Sequence, residues 1–137
     1  MSDIPPRLRR LVAKRAGNRC EYCGLSQEGQ EATFHIDHII PATADGPTTA
    51  ENLALACVSC SLRKEARRSA VDPKTKRKVP LFHPRRQRWA DHFRWAGVKV
   101  IGLTATGRAT AAALKMNRRL ILAIRREEED RGQHPPP

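Results

Sequence analysis

The chain has 137 residues, a net charge of +12 and a pI near 10.6. This length fits one domain with at most an appended element, and the charge favours a polyanionic partner such as nucleic acid, although ribosomal or membrane-surface binding fits it equally well. No apolar run approaches the roughly 20 residues of a membrane span, and the N-terminal segment lacks the apolar region of a secretory signal. A cytoplasmic protein without a membrane partner is therefore expected.

The sequence of the first half predicts two short helices with two short strands between them. A basic run with proline at its start and Gly17 behind it predicts a helix over residues 5–16. The apolar runs at residues 33–40 and 53–57 predict two strands, joined by a loop that contains glycine and proline. A second helix is expected over residues 61–70.

The second half is more basic and contains most of the large aromatic side chains. Residues 98–107 are typical of a strand and a turn, and residues 108–130 are typical of one helix. Trp89, Phe93 and Trp95 are expected to pack a small core, because this is commoner for such residues than stacking on bases. These patterns predict a strand-and-helix extension behind the first-half elements.

All four cysteines fall into two Cys-x-x-Cys pairs, Cys20 with Cys23 and Cys57 with Cys60. In a reducing compartment, two such pairs with no cysteine left over favour a tetrahedral zinc site over disulfides. Two separate redox motifs are the less favoured alternative. Four thiolates form a closed shell with no open position, so the expected Zn²⁺ is structural and not catalytic.

A run of mixed character, FHIDHIIP at residues 34–41, lies in the 33-residue gap between Cys23 and Cys57. It has the apolar pattern of a buried strand, yet three of its eight side chains can bind protons or metals. Burying such groups without partners costs several kcal/mol, so they should be either paired or used.

Four motifs around this gap carry a resemblance to a known family. They are CEYC at residues 20–23, DHIIP at 37–41, the Asn-Leu pair at 52–53 and CVSCSLRK at 57–64. Together they resemble the zinc-stapled form of the HNH endonuclease family, over residues 15–68. The resemblance implies an α+β fold with a ββα-metal (His-Me finger) domain and a four-cysteine structural zinc. That domain, with its N-terminal basic helix, is expected at residues 1–70. A basic C-terminal extension at residues 71–137 is expected to pack on it, and the tail, residues 131–137, is expected to be disordered.

The resemblance also implies roles for three residues between the cysteine pairs. His38 matches the general base that deprotonates the water attacking a phosphodiester, a task that suits an imidazole at neutral pH. Asp37 matches a ligand of the catalytic divalent ion, Mg²⁺ or Mn²⁺, which stabilises charge on the phosphorane and on the leaving oxygen. Asn52 matches the residue that orients the general base. The alternatives without a catalytic role are a core histidine for His38, a loop-capping aspartate for Asp37 and a turn-capping asparagine for Asn52.

One position departs from the family pattern. Similar proteins usually carry His or Asn directly after the last zinc cysteine, as a second ligand of the catalytic ion, whereas this chain has Ser61. Glu65 lies four residues further on, on the same face of the expected helix, and His35 lies on the same strand face as Asp37. The expected ion site is therefore Asp37 with Ser61, and Glu65 and His35 are additional candidate ligands.

Eleven Lys and Arg residues lie between Ser61 and Trp89. Phosphate contacts from such residues supply non-specific affinity but carry no sequence information. The candidate nucleic-acid contacts are Arg63, Lys64, Arg67, Arg68, Arg85 and Arg86.

The sequence thus predicts a metal-dependent endonuclease that cleaves or nicks DNA. One alternative is a catalytically silent zinc module that only binds nucleic acid. Ser61, in place of the usual His or Asn ligand, would explain why such a module does not catalyse a reaction. Another is a ribosome-associated basic zinc protein, which would leave the positions of Asp37, His38 and Asn52 without a reason. The oligomeric state is not determined by the sequence.

Overall fold

The computed structural model describes residues 4–137, which fall into two units of mixed helix and strand. The first unit comprises the described chain up to Arg68 together with His83–Gln87. The second comprises Ser69–Phe82 and Arg88–Pro137. Within residues 4–137, no helix has both the length and the apolar character that a membrane crossing requires.

The first unit contains a helical segment, a hairpin of strands and a second helix. Its elements are α1 (Pro6–Arg15), β1 (His35–His38), β2 (Leu53–Ala56) and α2 (Val58–Lys64). The two strands pair antiparallel, with Asp37 opposite Ala54, and α2 contacts both of them. The predicted α+β fold with its ββα arrangement is therefore confirmed.

The two strands of this hairpin differ in burial, as their sequences indicate. All four residues of β2 are buried, since α1 contacts this strand and its LALA sequence is wholly apolar. In β1, by contrast, His35 is exposed whereas Asp37 is buried. A buried carboxylate needs partners, and this requirement determines the chemistry of the site.

The second helix of this unit lies earlier in the chain than the sequence predicts. Residues 61–70 were expected to be helical, but α2 starts at Val58, where the sulfur of Cys57 accepts a hydrogen bond from the Cys60 amide. Glu65 ends the helix with a φ of +47°. The prediction of a helix through residue 70 is therefore wrong.

The second unit contains two short hairpins and three helices, of which α4 contacts both hairpins. Its elements are β3 (Ser69–Val71), β4 (Lys78–Pro80), α3 (Trp89–His92), β5 (Phe93–Ala96), β6 (Lys99–Gly102), α4 (Ala105–Ala113) and α5 (Arg119–Asp130). β3 pairs antiparallel with β4, and β5 with β6. Ala70, Leu81 and Ala109 form a buried cluster under α4. The predicted strand-and-helix extension is present, although only β6 among its strands was expected.

The single helix predicted over residues 108–130 is divided into two helices. Lys115 has a φ of +47°, which turns the chain between α4 and α5. The side chain of Asn117 then accepts from the Val100 amide and donates to the Val100 carbonyl, both at 2.8 Å. The segment between Ala113 and Arg119 is therefore not helical, and the Asn117 side chain within it binds the backbone of β6.

The aromatic residues of the second unit pack on one another, as expected. The ring of Trp89 lies 5.0 Å from that of Phe93 and 5.1 Å from that of Trp95. The guanidinium of Arg125 lies 5.0 Å from the centre of the Trp95 ring. A cation over an indole face is attracted by the ring quadrupole, so this contact stabilises the packing of α5.

Candidate active site

The four cysteines come together in the first unit, although 33 residues separate the two pairs. Their sulfur atoms all lie within 4.8 Å of one another, and all four side chains are buried. The Sγ atoms of Cys23 and Cys57 are 3.7 Å apart. Zinc–sulfur bonds of about 2.3 Å in a tetrahedron place sulfurs about 3.8 Å apart, so this donor set fits Zn²⁺.

The surroundings of the sulfurs also suit a bound cation. The amide of Cys23 lies 3.5 Å from the sulfur of Cys20, and the amide of Cys60 lies 3.4 Å from that of Cys57. Burial raises the pKa of the Cys20 thiol well above its usual value. Thiolates in such a place need a compensating positive charge, which a zinc ion supplies.

Asp37 is buried on β1 and has two partners in the first unit. Its Oδ2 atom accepts a hydrogen bond from the Tyr22 hydroxyl at 3.0 Å and lies 3.1 Å from the Lys64 ammonium. Burial raises the pKa of the Asp37 carboxyl above its usual value, while Lys64 and Tyr22 act in the opposite direction. Both contacts go to Oδ2, so Oδ1 is the oxygen that remains to bind a further group.

Lys64 points into the domain and not toward a phosphate backbone. Only 2% of its side chain is exposed. Besides Asp37, its ammonium contacts the backbone carbonyls of His38 and Ile39, both at 3.2 Å. The sequence placed Lys64 among the nucleic-acid contacts, and its burial contradicts that role because a phosphate could not reach it.

Five of the side chains expected to carry the chemistry, but not Asn52, line one cleft of about 590 Å³ in the first unit. The candidate residues in its wall are His35, Asp37, His38, Ser61 and Glu65. A cleft lined by two imidazoles, two carboxylates and a hydroxyl can bind a hard divalent ion and can exchange protons. Catalytic roles for these residues stay predictions.

His35 and Ser61 are in direct contact inside this cleft. The Nδ1 atom of His35 lies 2.8 Å from the hydroxyl oxygen of Ser61. When Nδ1 donates this hydrogen bond, Nε2 carries the lone pair that can bind a metal ion. Histidine ligands commonly donate their other ring N–H to an oxygen in this way.

His38 and Asn52 are linked through the loop that joins the two strands. Nε2 of His38 lies 2.9 Å from the Thr48 hydroxyl. The Asn52 amide donates to the carbonyls of Ile40 at 3.0 Å and Pro47 at 2.9 Å, while its oxygen accepts from the Ile40 amide at 2.8 Å. Asn52 thus holds the loop that carries Thr48, and Thr48 holds the imidazole.

The loop between the strands also depends on a glycine. A Cβ atom on Gly46 would lie 1.8 Å from the carbonyl oxygen of Ile40. No side chain fits at that distance, so the loop can fold back on the end of β1 only with glycine at this position.

Glu65 does not continue the helix as its predicted role assumed. It follows the last residue of α2, is exposed, and lines the same cleft as Asp37. Among residues 4–137, the four cysteines form the one group of three or more metal-binding side chains. A divalent ion in the cleft would therefore depend on few protein ligands, with Glu65 at its edge.

The remaining candidate nucleic-acid contacts differ in their surroundings. Arg85 is half-buried and forms an ion pair with Glu21, so its charge is partly neutralised within the unit. The Nε atom of Arg63 donates to Ser59 at 3.2 Å, and Arg63 is exposed. Arg67, Arg68 and Arg86 are also exposed. Phosphate contacts by these exposed residues stay predictions.

Two residues of the site were missed by the sequence analysis. Tyr22 lies between two cysteines and gave no signal beyond its aromatic character, although its hydroxyl reaches Asp37. Thr48 belongs to a loop of common turn residues, and only the folded loop brings its hydroxyl to His38. No sequence pattern identifies the hydrogen-bond partner of a hydroxyl group, so both contacts became known only from the tertiary structure.

One of three comparisons with known proteins gave a match. A family model described as HNH endonuclease matches residues 20–67. The matched segment runs from Cys20 to just beyond α2 and includes every candidate residue of the cleft. Searches among curated proteins and among solved structures gave no match.

Proposed function

We propose that this protein is a metal-dependent endonuclease that hydrolyses DNA phosphodiester bonds. The premise is that residues 20–67 belong to the HNH endonuclease family. The observation that carries the proposal is the shared cleft of His35, Asp37 and His38, in the same unit as a four-cysteine cluster. The net charge of +12 supports a nucleic-acid substrate. In this proposal residues 1–70 contain the nuclease domain, and residues 71–137 form a basic extension.

His38 acts as the general base in the proposed reaction. With Nε2 donating to the Thr48 hydroxyl, Nδ1 carries the lone pair that removes a proton from the attacking water. Asn52 is a positioning residue, because its side chain binds the backbone of Ile40 and Pro47 and so holds the loop of Thr48. The water oxygen then attacks the phosphorus while the bond from phosphorus to the 3′-oxygen breaks, and the 3′-oxygen takes a proton from solvent to give a 3′-hydroxyl and a 5′-phosphate.

Asp37 and His35 would hold the catalytic divalent ion, Mg²⁺ or Mn²⁺. When bound, such an ion stabilises the negative charge that develops on the phosphate and on the leaving oxygen. Asp37 offers Oδ1, since its other oxygen is occupied by Tyr22 and Lys64. His35 offers Nε2, with Ser61 orienting the ring. His35 thereby supplies the second ligand that similar proteins usually provide with His or Asn at the position of Ser61.

A second candidate function is favoured by one specific observation. The Lys64 ammonium lies 3.1 Å from Asp37 and already neutralises the carboxylate that is expected to bind the ion. Together with the hydroxyl at Ser61, this suits a zinc-containing module that binds nucleic acid without cutting it. The two functions share partner and fold and differ only in catalysis.

Plasmid cleavage separates the two functions. Supercoiled plasmid is incubated with the protein and Mg²⁺ or Mn²⁺, alongside a reaction without divalent ion and the His38→Ala variant. Metal-dependent nicking that His38→Ala abolishes, with unchanged plasmid binding and zinc content, is the expected result. The matched control is His83→Ala, because His83 lies in the same unit but outside the cleft. Plasmid that is bound but never cut would overturn the endonuclease proposal.

A further inference from the structure

The hairpin of β3 and β4 in the second unit carries positive charge without exposed negative charge. Within residues 69–80 the exposed cationic side chains are Lys74, Lys76, Arg77 and Lys78. The one acidic residue of this segment, Asp72, is fully buried. We call residues 69–80 the basic hairpin, since its whole accessible charge is positive.

Asp72 anchors the turn of the basic hairpin. Its two carboxylate oxygens accept hydrogen bonds from Arg108 of α4 at 3.0 and 2.9 Å. It also accepts from the Lys74 amide at 3.0 Å and from the Thr75 hydroxyl at 2.9 Å. The turn is therefore held in place before any partner binds, which lowers the entropic cost of binding.

Lys76 occupies a backbone conformation that favours glycine. Its φ is +66°, and its amide donates to the Asp72 carbonyl at 2.8 Å to close the turn. A side chain in the left-handed region costs free energy that glycine would avoid. Such local strain is commonly found where the side chain is used. A lysine at the tip of a cationic turn offers its positive charge for binding a polyanion.

We infer that the basic hairpin binds the phosphate backbone of duplex DNA. A two-stranded ribbon fits a groove of the duplex, and its flanking cations then reach phosphates on either side. Contacts of this kind are independent of base sequence and release counterions. The inference rests on the proposed function for the choice of DNA as partner, and it adds a binding surface outside the matched segment of residues 20–67.

Two matched lysine-to-glycine variants test the inference. Lys76→Gly removes one hairpin charge and also relieves backbone strain. Lys115→Gly is the control, because Lys115 is an exposed lysine of the same unit with a φ of +47° but lies outside the hairpin. Both are made in full-length His38→Ala protein, so that cutting does not interfere with binding. Duplex DNA affinity is measured from about 0.05 to 0.3 M salt, where counterion release dominates.

Lys76→Gly is expected to weaken binding about tenfold at 0.1 M salt and to reduce the slope of log K against log salt by about 1. Lys115→Gly should leave the slope unchanged, and both variants should melt at or above the parent temperature. Equal effects of the two variants, or no effect of either, would overturn the inference. An effect seen with single-stranded RNA but not with duplex DNA would also overturn it. Because only binding is measured, wild-type protein that binds but does not cut would refute the proposed function alone.

Discussion

The Lys64 ammonium lies 3.1 Å from Oδ2 of Asp37, and both side chains are buried in the first unit. This pair joins the last residue of α2 to the middle of β1. The same ammonium contacts the carbonyls of His38 and Ile39, so one lysine neutralises a carboxylate and binds the strand end that carries the candidate base. A buried pair of this kind is costly to break from one side.

Replacing Lys64 by methionine should destabilise the first unit by about 3 kcal/mol, because Asp37 is left buried without its cation. The measurement is the free energy of unfolding in urea. Arg63→Met is the control, since Arg63 is the exposed neighbour on the same helix and should cost less than about 0.5 kcal/mol. Mg²⁺ or Mn²⁺ should restore part of the loss if Asp37 reaches the ion. Equal losses in the two variants would contradict this role of Lys64.

Removing zinc should unfold the first unit but leave the second unit folded. Free energies of structural zinc binding are on the order of 10 kcal/mol, and all four cysteines lie in the first unit. We expect one Zn²⁺ per chain by metal analysis, and fast amide exchange over residues 20–67 after chelation or in Cys57→Ser. Trp89 and Trp95, both in the second unit, should keep their fluorescence. Protein that stays folded after complete zinc removal would refute a structural role.

His35 and Ser61 should act as a unit in divalent-ion binding. Loss of a ligand or of its orienting partner commonly costs 10–100-fold in metal affinity. His35→Ala and Ser61→Ala should therefore each raise the Mn²⁺ concentration for half-maximal cleavage by about tenfold or more. The double variant should be no worse than His35→Ala alone. Additive effects would instead make Ser61 an independent ligand, as the sequence alone suggested.

The control for this pair is Ser59→Ala. Ser59 lies on the same helix, but its hydroxyl accepts from Arg63 and does not line the cleft. Its removal should leave the Mn²⁺ dependence unchanged. A shift as large as that of Ser61→Ala would show that any serine loss in α2 disturbs the site.

Asp72 should make the stability of the second unit depend on pH in the acidic range. The Arg108 guanidinium and two hydrogen bonds from the turn hold the pKa of this carboxyl well below its usual value. Its stabilisation is therefore complete above the unfolded pKa of about 3.9 and is lost as the pH falls toward the lowered native pKa. Melting temperatures of the second unit should accordingly fall below about pH 4.

Asp72→Asn should melt lower than wild type at pH 7 and show a weaker decline in acid, since the charge paired with Arg108 is gone. Asp130→Asn is the control, because Asp130 is exposed at the end of α5. It should change neither the melting temperature at pH 7 nor the acid dependence. An unchanged acid decline in Asp72→Asn would show that other carboxylates are responsible.

Those parts of the fold that depend on local spacing were predictable. The first Cys-x-x-Cys pair lies in a turn and the second at the start of α2, and the apolar runs around Asp37 and at β2 are long enough to indicate strands. The proline and glycine around residues 5–16 likewise predict α1, which the structure has at Pro6–Arg15. Glu65 shows the limit of such reasoning. Its spacing from Ser61 predicts a shared helical face, but the helix ends one residue before it.

The sequence by itself determined which candidate ligands this protein has: four cysteines that suit zinc, and an aspartate, two histidines and an asparagine between them. Only the tertiary structure decided what those groups touch. Lys64 is one of eleven cations in a basic stretch and nothing local distinguishes it, yet the packing of α2 on the hairpin buries it against Asp37. Asn117 likewise falls within the helix predicted over residues 108–130, yet its side chain binds the backbone of Val100. Burial and pairing arise from contacts distant in sequence, so composition and spacing cannot predict them.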